Sequence, residues 1–276
     1  MLKLYDEKIQ TFYAKVNLMK KAHTRIIKSM LAAMSLMLFA GCTDDAVSTD
    51  LLLTSAVELA RTGKWQSCED NAVTVLKRDP ANVYAMLLRA LAAEQLGKKD
   101  TALAMAKQAA ENAPEEFSAQ YTYGRLLAEQ GNNAKSAITV LERALKLRPG
   151  NRSTLILLGN CSSKINADNA ITYYLALPPE VQKMPEIQTR MAMYYLDRRD
   201  RNSKNLSLAF QALANAYKTA NDNPVVVLNL AMFIDHYVKN KKKAYAFYNR
   251  YLILTKHNPE LNPTRAQVQA RMSALR

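Results

Sequence analysis

Turn-forming residues are scarce in this chain of 276 residues. It contains 7 glycines and 9 prolines, whereas average usage of about 7% and 5% would give roughly 19 and 14. So few turn formers argue against a β-rich fold. The 3 cysteines, the 8% aromatic residues and the 49% apolar content exclude a disulfide-stabilised scaffold and a disordered chain. The composition therefore predicts a mostly helical body with a sizeable core.

Catalytic motifs are also missing. The chain has 3 histidines; His23 lies in the basic N-terminal region, and His236 and His257 stand alone. There is no zinc-binding histidine pair on one helix, no phosphate-binding glycine loop and no nucleophile elbow. Asp235 and His236 are adjacent, but consecutive helical residues point about 100° apart, so they are poorly placed to share a proton. We expect no enzyme activity, no catalytic residue, no metal site and no cofactor.

No apolar run is long enough to span a membrane. The only candidate segment, residues 30–39, has ten uncharged residues, whereas a spanning helix needs about 20. Lys20, Lys21, Arg25 and Lys28 precede it. A basic stretch, a short apolar core and small residues after it are typical of a secretory signal.

The small residues that follow are Ala40-Gly41-Cys42. Together with Leu38-Phe39 they resemble the lipobox of bacterial lipoproteins, and the resemblance implies that Cys42 is lipidated and becomes the mature N-terminus. Residues 19–41 would then be the signal peptide, residues 42–50 the acylated cysteine and a tether, and residues 1–18 an over-long start. The alternative is an ordinary signal peptide beside a buried cysteine. Thr43 follows the cysteine, which by the enteric sorting rule implies the outer membrane, facing the periplasm.

The prolines recur at a regular period. Pro80, Pro114, Pro149, Pro185, Pro224 and Pro259 lie 34, 35, 36, 39 and 35 residues apart. Such a period indicates a repeat array. The clearest unit runs from Val83 to Pro114, with small residues at regular positions: Ala90, Gly97, Ala102, Ala106 and Ala109. This unit resembles the tetratricopeptide repeat, in which small residues let two antiparallel helices approach closely.

The resemblance implies an all-α fold, a tetratricopeptide-type right-handed superhelical solenoid of antiparallel helix pairs. About six repeats would occupy residues 51–260, and residues 261–276 would form a C-terminal capping helix. The fifth unit is predicted to contain a long helical connection rich in charge, residues 197–201. Cys68 and Cys161 fall in distant units, so both are predicted to be buried, unbridged thiols. A plain helical bundle is the alternative fold.

Tetratricopeptide arrays generally bind peptides or proteins on the concave face formed by the first helix of each unit. Transferred position by position, that face comprises Tyr84, Leu87, Leu91, Glu94, Tyr121, Arg125, Ser153, Ile156, Asn160 and Ser163. For each of these residues a packing or plain surface role is an equal alternative.

Within residues 42–276, the excess positive charge lies entirely in the C-terminal part. Residues 42–179 hold 15 basic and 15 acidic side chains, whereas residues 180–276 hold 16 and 7. Two runs concentrate the excess, and we expect six of their residues to contact an anionic surface: Arg198, Arg199, Arg201, Lys241, Lys242 and Lys243. Ordinary solvated loops are the alternative.

These features predict a non-catalytic scaffold lipoprotein of the bacterial cell envelope. It would be tethered by its lipid and would bind a protein or peptide partner. Assembly of a pilus, a secretin or cell-wall machinery is an example of a process that it could serve. A lipoprotein that binds glycan or anionic polymer is the alternative. Nucleic-acid binding is not expected, because no aromatic and basic motif for it is present.

Overall fold

The computed structural model describes residues 47–131 and 133–275. The expected over-long start, the signal peptide and the lipidated Cys42 lie outside these residues. Within them every regular element is helical, which confirms the all-α prediction. The α-helices are α1 Thr49–Arg61, α2 Trp65–Arg78, α3 Val83–Gln95, α4 Lys99–Asn112, α5 Phe117–Glu129, α6 Ala134–Leu147, α7 Arg152–Lys164, α8 Ala170–Leu175, α9 Pro179–Gln182, α10 Pro185–Asp197, α11 Lys204–Thr219, α12 Pro224–Phe233, α13 Lys241–Leu254 and α14 Asn262–Leu275.

Prolines and asparagines set where the helix pairs begin. Pro80 and Pro149 each lie two residues before an asparagine that caps the next helix. The side chain of Asn82 accepts a hydrogen bond from the backbone N–H of Ala85, and that of Asn151 accepts one from Thr154, both at 3.0 Å. These bonds satisfy N–H groups that a helix leaves unpaired at its start. The proline period therefore marks the boundaries between units.

Glycines make the turns inside the units. Gly63, Gly97 and Gly131 have φ angles of +74°, +75° and +83°, a region that side chains with a Cβ disfavour. Each follows the first helix of a pair, so the chain reverses there and the second helix returns antiparallel.

The chain divides into two compact units, one ending at Met105 and one beginning at Ala106. In the first, a core of small and aliphatic residues joins α1, α2 and α3: Ala56, Val57, Ala60, Cys68, Ala72, Leu88 and Ala92. Trp65 opens α2 and packs against this core. Burial raises the pKa of the Cys68 thiol to about 11. Cys68 and Cys161 are both buried and free, which confirms the prediction for the two thiols.

In the second compact unit, glycines allow helices to touch. A Cβ on Gly124 would lie 2.7 Å from Cγ of Leu141, and one on Gly159 would lie 2.5 Å from Cε1 of Tyr174. Gly124 therefore brings α5 against α6, and Gly159 brings α7 against α8. The close approach that the small residues predicted is present at both positions.

The segments predicted as the fourth and fifth repeats depart from the regular pattern. Helix α8 has only 6 residues, because Pro178 and Pro179 follow it and cannot continue the helix. The predicted helical connection over residues 197–201 is wrong, since α10 ends at Asp197 and α11 begins at Lys204. The charged run forms the turn between them. Backbone carbonyl groups there need hydrogen-bond donors, and arginine side chains provide these donors.

The C-terminal end is a large core shared by α10 to α14, with Leu213, Val227, Leu230, Tyr248 and Met272 among its buried residues. Helix α12 continues into one π-helical turn, Ile234–Val238. Helix α14 closes the core with Val268, Met272 and Leu275 and turns Gln267 and Gln269 to solvent. The predicted capping helix is thus confirmed for residues 262–275.

Candidate partner-binding groove

A groove runs across α7, α10 and α12, the helices predicted to open the fourth, fifth and sixth repeats. Its volume is about 380 Å³. We call it the A-helix groove, where helix A means the first helix of a predicted repeat. It is lined by Ser163, Tyr174, Pro185, Glu186, Thr189, Arg190, Met193, Tyr194, Asp197, Asn223, Val225 and Val226.

The floor of the A-helix groove is polar at one point. The hydroxyl of Tyr174 donates a hydrogen bond of 2.8 Å to Oδ1 of Asn160. Burial raises the pKa of Tyr174, and the nearby positive charge of Arg190 partly opposes that rise. Nearby, Oγ1 of Thr189 is buried without a hydrogen-bond partner among the described residues. A buried hydroxyl left unpaired costs free energy.

The rim of the A-helix groove combines apolar and charged side chains. Met193 and Val225 are exposed, at 36% and 62% of their surface. Glu186, Arg190 and Asp197 are exposed beside them. Exposed apolar side chains with convergent polar groups suit a peptide segment, whose backbone needs hydrogen bonds while its side chains need apolar contact.

The structure places the predicted concave-face residues differently in each helix. On α3, Tyr84 is exposed and Leu91 packs partly against the core, while Glu94 is half-buried. Leu87 and Tyr121 are each only 8% exposed. The prediction of an open face is wrong for those two, because both side chains are buried. Tyr121 stacks on Phe117 within α5, with ring centroids 5.5 Å apart.

The remaining predicted face residues lie on α5 and α7. Arg125 is half-buried and pairs with Glu129 at 2.7 Å. Ser153 and Ile156 are half-buried, and the side-chain oxygen of Asn160 is bonded to Tyr174. Ser163 reaches the A-helix groove directly. Among the predicted face residues, Ser163 alone lines the groove, and the concave face remains a prediction.

The residues of the groove on α10 and α12 were missed. The repeat signal weakens after Pro178 and Pro179, so no positions were transferred to the fifth and sixth units. The signal that could have found them is Pro185, which starts α10 and carries the proline period forward. Counting from it places Thr189 and Met193 one helical turn apart on one face.

Arg198 is not part of an exposed basic surface. It is only 5% exposed, and its guanidinium donates to the backbone carbonyls of Asn166 and Ala167 at 2.8 and 3.0 Å. Its Nε also lies 3.1 Å from Oδ1 of Asp168. The prediction that Arg198 contacts an anionic surface is wrong, because this side chain holds the turn between α7 and α8 against the end of α10.

The other five predicted basic residues are exposed. Arg201 pairs with Asp168 at 2.6 Å, and Arg199 lies over the ring of Tyr237, 5.9 Å from its centroid. Lys241, Lys242 and Lys243 form the first turn of α13, which Asn240 caps. Since Tyr237 precedes Lys241 by four residues, the contact with Arg199 brings the two basic runs to one edge of the molecule.

Residues 47–131 and 133–275 contain no group of three or more His, Cys, Asp and Glu side chains that could hold a metal. None of the helices in the same part of the chain is both long enough and apolar enough to cross a membrane.

Comparisons with known proteins agree with the helix pairs described above. The tetratricopeptide repeat model matches residues 53–104 and 90–152. No match is found among curated protein sequences.

Solved structures resemble the chain over most of its length. The structure of PilW, a widely conserved type IV pilus biogenesis factor, has a TM-score of 0.63 at 19% identity, covering 78% of this chain and 97% of PilW. PilF of Pseudomonas aeruginosa has a TM-score of 0.59 at 16% identity, covering 79% and 97%. YrrB, a repeat protein with an unusual peptide-binding site, has a TM-score of 0.53 at 15% identity, covering 68% and 93%. Residues 53–152 therefore contain tetratricopeptide repeats, and the fold is all-α and of the tetratricopeptide type.

Proposed function

We propose that this protein is a lipoprotein of the bacterial cell envelope and a non-catalytic scaffold that holds partner proteins in its A-helix groove. The observation that supports this most is the groove itself, in which α7, α10 and α12 meet and exposed apolar side chains lie beside charged ones. An extended peptide could rest its apolar side chains on Met193 and Val225 and pair its polar groups with Glu186, Arg190 and Asp197.

The proposed mechanism is tethering. Lipid on Cys42 would fix the N-terminus to the membrane, and the repeats would hold the bound partner nearby. Confinement raises the effective concentration of the partner without any new contact. The fold resemblance to PilW and PilF suggests pilus assembly as one process in which such a scaffold could serve.

Partner binding can be tested by photo-crosslinking in intact cells. A photoreactive amino acid at Met193 is expected to crosslink to a defined protein, and the added substitution Arg190→Glu should reduce that product. The same amino acid at Ile253, which is exposed on α13, is the matched control. An identical crosslinking pattern from both positions would refute the groove as the binding site.

Lipidation is tested separately. Cells fed an alkyne-labelled palmitate should label the wild-type protein but not the Cys42→Ala variant, and that variant should leave the membrane fraction. Equal labelling of both would refute the lipoprotein assignment. Binding of the purified protein to a glycan array, with no protein crosslinked at Met193, would favour the alternative glycan-binding function.

A further inference from the structure

A second, separate groove lies where α11 meets the π-helical turn after α12. It has a volume of about 340 Å³ and is lined by Ser203, Leu206, Ser207, Phe210, Phe233, Tyr237 and Val238. We call it the aromatic groove. It shares no lining residue with the A-helix groove.

The lining of the aromatic groove is apolar but accessible. Phe210 is 44% exposed and Val238 is 51% exposed. The rings of Phe210 and Phe233 stack with centroids 5.5 Å apart, and the ring of Tyr237 lies 5.3 Å from that of Phe233. The three aromatic side chains therefore form a continuous row, in which Phe233 belongs to the core and its neighbours are open to solvent.

Basic side chains surround this row. Arg199 lies over the ring of Tyr237, Lys204 follows the lining residue Ser203, and Lys239 follows the lining residue Val238. Lys241, Lys242 and Lys243 follow in the first turn of α13 and are exposed. Within the two turns, residues 198–204 and 237–243, Asp200 is the single acidic residue. The rim thus carries a strong positive charge.

The position of the three lysines indicates that this charge does not serve the stability of α13. They occupy the first helical turn, where the partial positive charge of the helix dipole makes cations unfavourable. Like charges on neighbouring residues also repel one another. An anionic partner would relieve both effects.

From this complementarity we propose that the aromatic groove binds an acidic segment of a partner protein, in which an aromatic or aliphatic side chain is flanked by Asp or Glu. The apolar side chain would enter between Phe210 and Val238, and the carboxylates would pair with Arg199 and Lys239. A protein segment fits this surface better than a membrane, because the Phe210 ring lies flat against Phe233 and a membrane-inserting ring projects outward. This site is independent of the A-helix groove.

The proposal can be tested by panning a phage library of random peptides on the full-length protein. We expect enriched peptides to contain an aromatic or aliphatic residue next to acidic residues. Phe210→Asp and, separately, Val238→Asp should weaken the binding of a synthesised enriched peptide about tenfold or more, as loss of a central apolar contact does. Arg199→Glu with Lys239→Glu should weaken it similarly, and added salt should reduce the wild-type affinity.

Three control variants should bind the peptide as the wild type does. Ile253→Asp changes an exposed apolar residue elsewhere, Lys218→Glu changes an exposed basic residue elsewhere, and Met193→Asp disables the A-helix groove. Thermal unfolding of each variant checks that it folds. A lack of enrichment, enriched peptides without acidic residues, or equal binding by the Phe210 and Val238 variants would overturn the proposal. Binding to phosphatidylglycerol vesicles that requires Phe210 and Val238 would overturn it in favour of a membrane surface.

Discussion

Arg271 of the C-terminal helix forms a two-point ion pair with Asp235 of the π-helical turn: Nε lies 2.7 Å from Oδ2, and Nη2 lies 2.9 Å from Oδ1. The Asp235 side chain is 2% exposed, and the hydroxyl of Tyr248 donates to its Oδ2 at 3.0 Å. The buried carboxylate therefore has three donors from two helices. It joins α13 and α14 to the end of α12. These hydrogen bonds explain why a charged residue can lie inside the core.

Asp235→Asn should destabilise the C-terminal end of the protein. The amide has one acceptor oxygen in place of two and no charge, so the bonds to Arg271 and Tyr248 weaken while their groups stay in place. We expect a loss of about 1–3 kcal/mol, the range for buried charge-assisted hydrogen bonds. Urea unfolding would give the size, and hydrogen exchange of α14 would give the location. The control is Gln267→Ala, which changes an exposed residue of α14. If α14 were equally protected from hydrogen exchange in Asp235→Asn and in the control, the prediction would be contradicted.

Acid should remove the same stabilisation. Hydrogen bonds from Arg271 lower the pKa of Asp235, with burial opposing them. A carboxylate whose folded pKa lies below its unfolded value of about 3.9 stabilises the fold above that pH and loses the effect as pH falls through the folded pKa. Asp168 has a lowered pKa as well, chiefly through its hydrogen bond with Arg198.

We therefore expect the free energy of unfolding to fall below about pH 4, and to fall less steeply for Asp235→Asn. Urea unfolding of both proteins between pH 6 and pH 2 would measure this. Parallel curves for the two proteins would show that Asp235 does not contribute to the acid dependence.

Arg198→Gln should destabilise the protein more than Arg201→Gln, although both arginines pair with Asp168. Arg198 is buried and also bonds the carbonyls of Asn166 and Ala167, so its loss leaves several acceptors unpaired. We expect about 1–3 kcal/mol for Arg198→Gln and little change for the exposed Arg201→Gln. Thermal unfolding would rank the two variants, and the reverse order would contradict the assignment of Arg198 to the interior.

The sequence predicted the repeats because their features are local. Each closing proline, each turn glycine and each capping asparagine acts on its own few residues, so a period near 34 shows where helices start and stop. The buried thiols and the capping helix followed from the same counting. The close contacts at Gly124 and Gly159 were implied by the small residues of the tetratricopeptide pattern.

Pairings across the fold were not predictable in this way. Arg198 meets Asp168 across 30 residues, and nothing in the charged run distinguishes this arginine from its exposed neighbour Arg199. The A-helix groove was missed on α10 because the short α8 disrupts the repeat pattern before the fifth unit. The aromatic groove depends on a π-helical turn, for which hydrophobic periodicity gives no signal.

The contact between Gly159 and Tyr174 gives the sharpest packing prediction. A Cβ at position 159 would lie 2.5, 2.7 and 2.9 Å from three ring carbons of Tyr174, and that ring is fully buried. Alanine normally favours a helix over glycine by about 1 kcal/mol, but overpacking of a rigid core costs about 1–3 kcal/mol. Because Tyr174 is also hydrogen-bonded to Asn160, the ring has little freedom to move, and Gly159→Ala should lower the free energy of unfolding.

Combining Gly159→Ala with Tyr174→Leu should recover part of the stability that Tyr174→Leu loses alone, since the smaller side chain leaves room for the methyl group. Urea unfolding of the four proteins gives the coupling between the two positions, and a coupling near zero would mean that the ring moves aside without cost.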